Sequence, residues 1–106
     1  MTMEGFEAVA ALDDIGPEGL RVVVDGEEVL LVRRGEEVFA LGYLCSHQDM
    51  ELEGGHLEGD AWVCPHHGAR FHLATGEAVS MPAIEAIATR EVRIVEGKVF
   101  LKESQP

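Results

Sequence analysis

The sequence reads CSH at residues 45–47 and CPHHGARF at residues 64–71, and these two stretches indicate both the site and the fold. Together they hold both cysteines of the chain and three of its five histidines. As a pattern they give Cys-x-His, sixteen further residues, and then Cys-x-x-His. The ligand positions of this pattern are Cys45, His47, Cys64 and His67. A mixed set of thiolates and imidazoles suits zinc or an iron–sulfur cluster, whereas calcium and magnesium prefer oxygen ligands.

The spacing alone leaves two other uses of these residues open. A Cys2His2 zinc finger pairs its cysteines on a hairpin and its histidines on a helix, and neither pairing occurs here. A structural zinc site built from the same residues is nevertheless an alternative, and so is a Cys45–Cys64 disulfide with incidental histidines. Because the chain is expected to be cytosolic, metal binding or redox chemistry is favoured over the disulfide.

The segments outside the two stretches have the pattern of short β-strands. Apolar and β-branched residues are grouped between turn signals such as Asp25-Gly26, Arg34-Gly35 and Glu96-Gly97. The predicted strands cover residues 6–10, 20–25, 28–33, 37–41, 90–95 and 99–101. No long stretch has a helical apolar period with caps. The sequence therefore predicts an all-β, mainly antiparallel domain with a three-stranded meander early in the chain and a hairpin near its end.

The middle of the chain, residues 45–82, has the character of an insertion that carries the site. It is rich in glycine and histidine, with short strand candidates at residues 61–63 and 70–73. A chain of 106 residues and 11.5 kDa has room for one domain. We expect a single domain over residues 1–106, in which a base of about 1–44 and 83–106 carries an inserted subdomain of about 45–82.

The charge balance argues against two classes of partner. Eight Lys and Arg against twenty Asp and Glu give a formal net charge of −12, which repels nucleic-acid phosphates and anionic lipid head groups. The acidic N-terminus lacks the pattern of a signal peptide, and no apolar run approaches the roughly 20 residues that span a bilayer. We expect a cytoplasmic protein that binds neither nucleic acid nor membrane.

The two stretches resemble the Rieske family, in which two histidines replace two cysteine ligands on one iron of a [2Fe–2S] centre. The residues that carry the resemblance are Cys45, His47, Cys64, Pro65, His67, Gly68 and Phe71, with further agreement at residues 74–77 and at Pro82. The resemblance implies one [2Fe–2S] cluster per chain, with Cys45 and Cys64 on the inner iron. His47 and His67 would bind the outer iron, which leaves His66 as a surface residue. The implied fold is an antiparallel β-sandwich or barrel base with a smaller inserted cluster-binding subdomain.

Departures from the family pattern indicate a low reduction potential. High-potential relatives carry an additional cysteine in each loop, at the positions of Met50 and His66, and join the two by a disulfide. They also place a serine and a tyrosine, whose hydroxyls donate to cluster sulfurs, at the positions of Ala69 and Phe71. Such hydrogen bonds stabilise the more negative reduced state, so their absence lowers the potential.

The resemblance implies a one-electron carrier with no catalytic residues of its own. It would accept electrons from a flavin-containing reductase and pass them to a terminal oxygenase or reductase, as ferredoxins of aromatic-ring dioxygenase systems do. The alternatives are a small Rieske-like subunit of an assimilatory nitrite reductase and a zinc-stabilised interaction module. The partner is expected at a cluster tip that comprises His47, Gln48, Met50, His67 and Pro82. The acidic residues Asp49, Glu51 and Glu53 are expected to rim that tip and to face a basic partner.

Overall fold

The computed structural model describes residues 5–44, 51–66, 68–79 and 86–103. Within these ranges the chain forms short β-strands and one turn of 3-10 helix, which confirms the predicted all-β class. The elements are β1 (Phe6–Ala11), the 3-10 turn (Leu12–Asp14), β2 (Leu20–Val24), β3 (Glu27–Arg34), β4 (Glu37–Gly42), β5 (His56–Glu58), β6 (Ala61–Val63), β7 (Arg70–His72), β8 (Thr89–Arg90), β9 (Val92–Val95) and β10 (Lys98–Lys102). Among the described residues, no helix has the length and apolar character needed to cross a membrane.

The described strands form three antiparallel sheets, with the orders β2-β3-β4-β8, β1-β10-β9 and β5-β6-β7. The predicted meander is confirmed as β2, β3 and β4, in which Val22 pairs with Val29 and Leu31 pairs with Ala40. The sequence of its first turn explains the tight connection. Asp25 and Gly26 both have positive φ, at 56° and 77°, as a two-residue type I′ hairpin requires.

The predicted hairpin near the end of the chain is confirmed, but its first strand is divided. β9 pairs with β10, whereas Arg90 lies in β8 and pairs with Ala40 of β4. The Arg90 guanidinium donates to the carbonyl of Lys102 at 2.8 Å and lies 3.3 Å from the carboxylate of Glu27. These contacts hold Arg90 at the edge of the central sheet, so the prediction of one continuous strand over residues 90–95 was wrong.

The central sheet is buried on both faces, because side chains on a strand alternate between them. On β3, Leu30 and Val32 belong to one core and Val29 and Leu31 to another. The first core joins the central sheet to β5-β6-β7 through Trp62, Phe71 and their neighbours. The second joins it to β1-β10-β9 through Val99 and Leu101. Cys64, one of the predicted ligands, lies in the first core, on the side of the central sheet that faces β5-β6-β7.

The sheet β5-β6-β7 contains one strand that the sequence analysis did not predict. β5 has three residues, His56–Glu58, which is too short for an alternating pattern to be recognised. Leu57 pairs with Trp62, and Trp62 in turn pairs with Phe71 across the sheet. This row of large apolar side chains faces the first core and fixes β6 and β7, the strands on either side of the second ligand stretch.

Candidate metal centre

The residues that flank the first ligand stretch, just after β4, lie next to each other. Leu44 and Glu51 form an isolated antiparallel bridge. One residue further along, the Leu52 N–H donates to the carbonyl of Tyr43 at 2.8 Å. Cys45 and His47, together with the rest of residues 45–50, lie outside the described residues. The residues on either side of this segment, Leu44 and Glu51, are therefore held next to each other.

The second ligand stretch is a short loop between β6 and β7 that is closed by its own backbone hydrogen bonds. The Cys64 N–H donates to the carbonyl of Ala69 at 2.7 Å, and the Gly68 N–H donates to the carbonyl of Cys64 at 3.1 Å. Gly68 has a φ of 73°, a left-handed conformation that glycine adopts without a steric penalty. This explains a glycine at this position of the motif. His67 lies outside the described residues.

Cys64 is the one predicted ligand that the structure describes, and its surroundings suit an inner ligand of a cluster. It is a free cysteine with 1% of its surface exposed. The next two residues, Pro65 and His66, are exposed, so the chain passes from the interior to the surface between Cys64 and Pro65. A buried thiol beside an exposed loop fits a thiolate that holds the inner iron, and the exposure of His66 agrees with its interpretation as a surface residue.

Interior contacts connect residues that flank the two stretches. The indole Nε1–H of Trp62 donates to the carbonyl of Leu52 at 2.7 Å, in a buried bond. Gly55 lies so close to β6 that a Cβ there would be 2.0 Å from the Val63 carbonyl oxygen. In the sequence, Trp62 stands only within a short strand candidate at residues 61–63. Its bond to Leu52 joins residues ten apart and leaves no local pattern to be recognised.

Tyr43, two residues before Cys45, forms a second interior contact. Its hydroxyl donates to Glu53 Oε1 at 2.8 Å, and its side chain is buried in the first core. Burial first, and the hydrogen bond to Glu53 second, raise the pKa of Tyr43 to about 12. The Arg21 guanidinium lies 5.7 Å from the centre of the Tyr43 ring.

This contact involves one residue of the expected acidic rim. Glu53 is half-buried, and one of its carboxylate oxygens accepts a hydrogen bond from Tyr43. Glu51 is exposed, as the rim hypothesis requires. Asp49, Gln48, Met50 and Pro82 belong to the hypothesised tip and lie outside the described residues.

Ala69 and Phe71 are both fully buried in the core that contains Cys64. Neither side chain has a hydroxyl, so neither can donate a hydrogen bond at this place. After β7 the chain turns, and the Gly76 carbonyl accepts from the Ile87 N–H at 2.8 Å. A Cβ on Gly76 would lie 2.1 Å from the Ile87 carbonyl oxygen, so the turn packs tightly against the segment that leads into β8.

The sequence between residues 45 and 82 is strongly acidic. Its one cation is Arg70, which lies 2.9 Å from Glu58 in an exposed ion pair. Its carboxylates are Asp49, Glu51, Glu53, Glu58, Asp60 and Glu77. Asp60 forms an ion pair with Arg34 at 2.6 Å. A negative field therefore extends over the part of the chain that carries the ligand stretches.

Comparison with known proteins identifies the family. The model of the Rieske [2Fe-2S] domain matches residues 6–95. The chain is 36% identical over 101 residues to the ferredoxin component of the naphthalene 1,2-dioxygenase system of Pseudomonas putida, with 95% of this chain and 97% of that protein covered.

Two solved structures agree with this assignment. The ferredoxin of carbazole 1,9a-dioxygenase from Nocardioides aromaticivorans IC177 superposes with a TM-score of 0.87 at 29% identity, covering 95% of this chain and all of that one. A ferredoxin in a complex of reduced oxygenase and oxidized ferredoxin in carbazole 1,9a-dioxygenase superposes with a TM-score of 0.82 at 30% identity, covering 97% and 98%. Motif, fold and relatives agree, and the chain belongs to the Rieske [2Fe–2S] family.

Proposed function

We propose that this protein is a one-electron carrier that accepts electrons from a flavin-containing reductase and passes them to an oxygenase. As a Rieske family member it holds one [2Fe–2S] cluster, which supplies one-electron redox chemistry when bound. The observation that carries the proposal is the free, buried thiol of Cys64, followed directly by two exposed loop residues, Pro65 and His66. This arrangement keeps one ligand away from water while the loop beyond it reaches the surface.

The proposed ligands are Cys45 and Cys64 for the inner iron and His47 and His67 for the outer iron. The support for Cys64 is its burial, and the support for the other three is the spacing of the motif. Further support comes from the bridge between Leu44 and Glu51 and the bond between Trp62 and Leu52, which join residues that flank the two stretches. We also propose that residues of about 45–82 form the cluster-binding subdomain, which the separate sheet β5-β6-β7 supports.

The partner proposals come from the relatives. Ferredoxin components of dioxygenase systems act beside an oxygenase, and a structurally similar ferredoxin is known in complex with its oxygenase. The flavin-containing reductase and a cytoplasmic location are further parts of this proposal, consistent with a charge of −12 and with relatives that are ferredoxins.

We propose that the chain itself catalyses no substrate reaction. A cavity of about 340 Å³ is lined by Glu27, Ala88, Thr89, Arg90, Glu91, Lys102 and Glu103. None of these residues belongs to the part of the chain that carries the ligands, so this cavity gives no substrate access to Cys64. Outer-sphere electron transfer needs only an exposed edge of the centre, which the exposed Pro65 and His66 allow.

Stopped-flow mixing tests the proposal. The protein is reduced anaerobically and mixed with the oxidised oxygenase component of an aromatic-ring dioxygenase. We expect the oxygenase to take one electron per chain. The proposal would be contradicted by two results together. The reduced protein would pass no electron to any oxygenase of a panel, and the protein would be isolated from the native cell in a fixed complex with a nitrite reductase.

A further inference from the structure

We propose that Trp62 is a positioning residue for the cluster, and that its indole N–H fixes the two ligand loops relative to each other. This inference rests on the proposed ligand assignment. Trp62 lies two residues before Cys64, and Leu52 lies just beyond the bridge that closes the first ligand stretch. The 2.7 Å bond from Trp62 Nε1 to the Leu52 carbonyl therefore links the ends of both loops directly.

The link continues on the far side of Leu52. Its N–H donates to the Tyr43 carbonyl at 2.8 Å, and Tyr43 lies two residues before Cys45. Leu52 therefore connects the segment just after β4, which precedes Cys45, with β6, which precedes Cys64. Leu52 thus bonds both to a residue two positions before Cys45 and to a residue two positions before Cys64, which suits a centre whose ligands come from both loops.

The surroundings make this hydrogen bond strong. Trp62 is 1% exposed and Leu52 is fully buried, so water cannot replace the indole donor. The Leu52 carbonyl has a second, longer bond from the Gly55 N–H at 3.3 Å. A Cβ on Gly55 would lie 2.9 Å from Trp62 Nε1, so glycine leaves the indole the room to reach the carbonyl.

The competing interpretation is that Trp62 contributes only apolar packing, since its rings lie in the first core. The N–H and the rings can be separated by experiment. Trp62 is the single tryptophan of the chain, so replacing tryptophan globally by 3-benzothienylalanine changes this position alone. The analogue keeps both rings and carries a sulfur in place of the N–H.

Wild type and the analogue protein are compared as reduced and oxidised holoproteins. We measure the rate of cluster release to an iron chelator, the EPR spectrum of the reduced state, and the thermal midpoint. The loss of one buried hydrogen bond is expected to speed release by roughly 2- to 10-fold. It should also shift or broaden the EPR signal, because the ligand loops are held less uniformly.

Trp62→Phe provides a second route if the analogue protein does not accumulate. Its control is Phe39→Leu, which removes ring atoms from a half-buried residue of the same core without removing a polar group. Faster release and an altered EPR signal in Trp62→Phe, but not in a Phe39→Leu protein of similar thermal midpoint, support the positioning role.

Two results overturn different parts of the argument. Release at the wild-type rate with an unchanged EPR signal, in both the analogue protein and Trp62→Phe, would show that Trp62 only packs. A wild-type protein that contains no iron would instead contradict the ligand assignment and the proposed function.

Discussion

Ala69 and Phe71 occupy buried positions next to Cys64, and neither can donate a hydrogen bond. On this basis we expect a reduction potential near the bottom of the Rieske range, about −150 mV. Introducing both hydroxyls in Ala69→Ser with Phe71→Tyr should raise the potential, because donors to cluster sulfur stabilise the reduced state. Anaerobic redox titration measures the reduction potential of the wild type and of the double variant.

The control for that comparison is Ala88→Ser, which adds a hydroxyl at an exposed position outside the ligand loops. Its potential should equal that of wild type. A wild-type potential well above zero, or a double variant with an unchanged potential, would show that these two positions do not set the polarity around the cluster.

The Tyr43 hydroxyl bond to Glu53 should contribute measurably to stability. Tyr43→Phe is expected to lower the free energy of unfolding by about 1–2 kcal/mol, since it removes a half-buried hydrogen bond to a carboxylate. The pKa of Tyr43 is raised to about 12 in the folded protein, above the ordinary value of about 10 in an unfolded chain. The contribution is therefore complete below pH 10 and is lost as the pH rises from 10 to 12.

Urea unfolding of wild type and Tyr43→Phe at pH 7 and pH 9, followed by Trp62 fluorescence, checks this expectation. The difference between the two proteins should be the same at both values. If the difference in free energy of unfolding is absent at pH 7, or has disappeared by pH 9, the Tyr43 hydroxyl does not form a stabilising bond to Glu53 in the dissolved protein.

At the scale of elements, Gly55, the residue just before β5, packs closely against β6. Gly55→Ala should destabilise the protein by roughly 1–3 kcal/mol, because the added Cβ would meet the Val63 carbonyl at 2.0 Å. Gly16→Ala is the matched control, since an added Cβ at Gly16 meets nothing within 4 Å. Thermal unfolding should separate the two variants clearly, and equal midpoints would contradict the close approach of Gly55 to β6.

The elements also show why part of this structure was predictable. The meander was predicted because its turns carry local signals, such as the Asp25-Gly26 pair with positive φ at both residues. The ligand loop after β6 was recognised from a continuous motif that includes Gly68. In both cases the residues that determine the structure are neighbours in the sequence.

The parts that were missed depend on contacts between distant residues. Arg90 was assigned to the wrong strand because its position is set by Glu27 and by the Lys102 carbonyl. The bond between Tyr43 and Glu53 was missed because nothing in the sequence pairs these residues. The role of Trp62 at the site follows from Leu52, which is ten residues away.

At the scale of the whole molecule, the charge of −12 is expected to steer the encounter with a basic partner. The exposed Glu51 and, from the sequence, Asp49 are the acidic residues that we place in the docking rim. Asp49→Asn with Glu51→Gln should slow electron transfer from the reductase by about 2- to 5-fold at low ionic strength. The slope of the rate against salt should also be shallower, since salt screens charges over about 10 Å at 0.1 M.

The matched control is Glu7→Gln with Glu96→Gln, which changes the net charge equally but lies on β1 and on the turn between β9 and β10. Stopped-flow rates of the two double variants over a range of ionic strength separate local docking from net charge. Equal effects in both would assign the steering to the whole molecule, and no effect in either would leave these carboxylates with a role in solubility alone.

The central claim is that Cys45, His47, Cys64 and His67 hold a [2Fe–2S] cluster, and iron, zinc and acid-labile sulfide analysis of anaerobically purified protein tests it most directly. The wild-type protein and the His66→Ala variant should each contain about two irons and two sulfides per chain, and Cys64→Ser and His67→Ala should lack the normal cluster. One zinc and no iron in the wild type, or loss of the cluster in His66→Ala with its retention in His67→Ala, would contradict the claim.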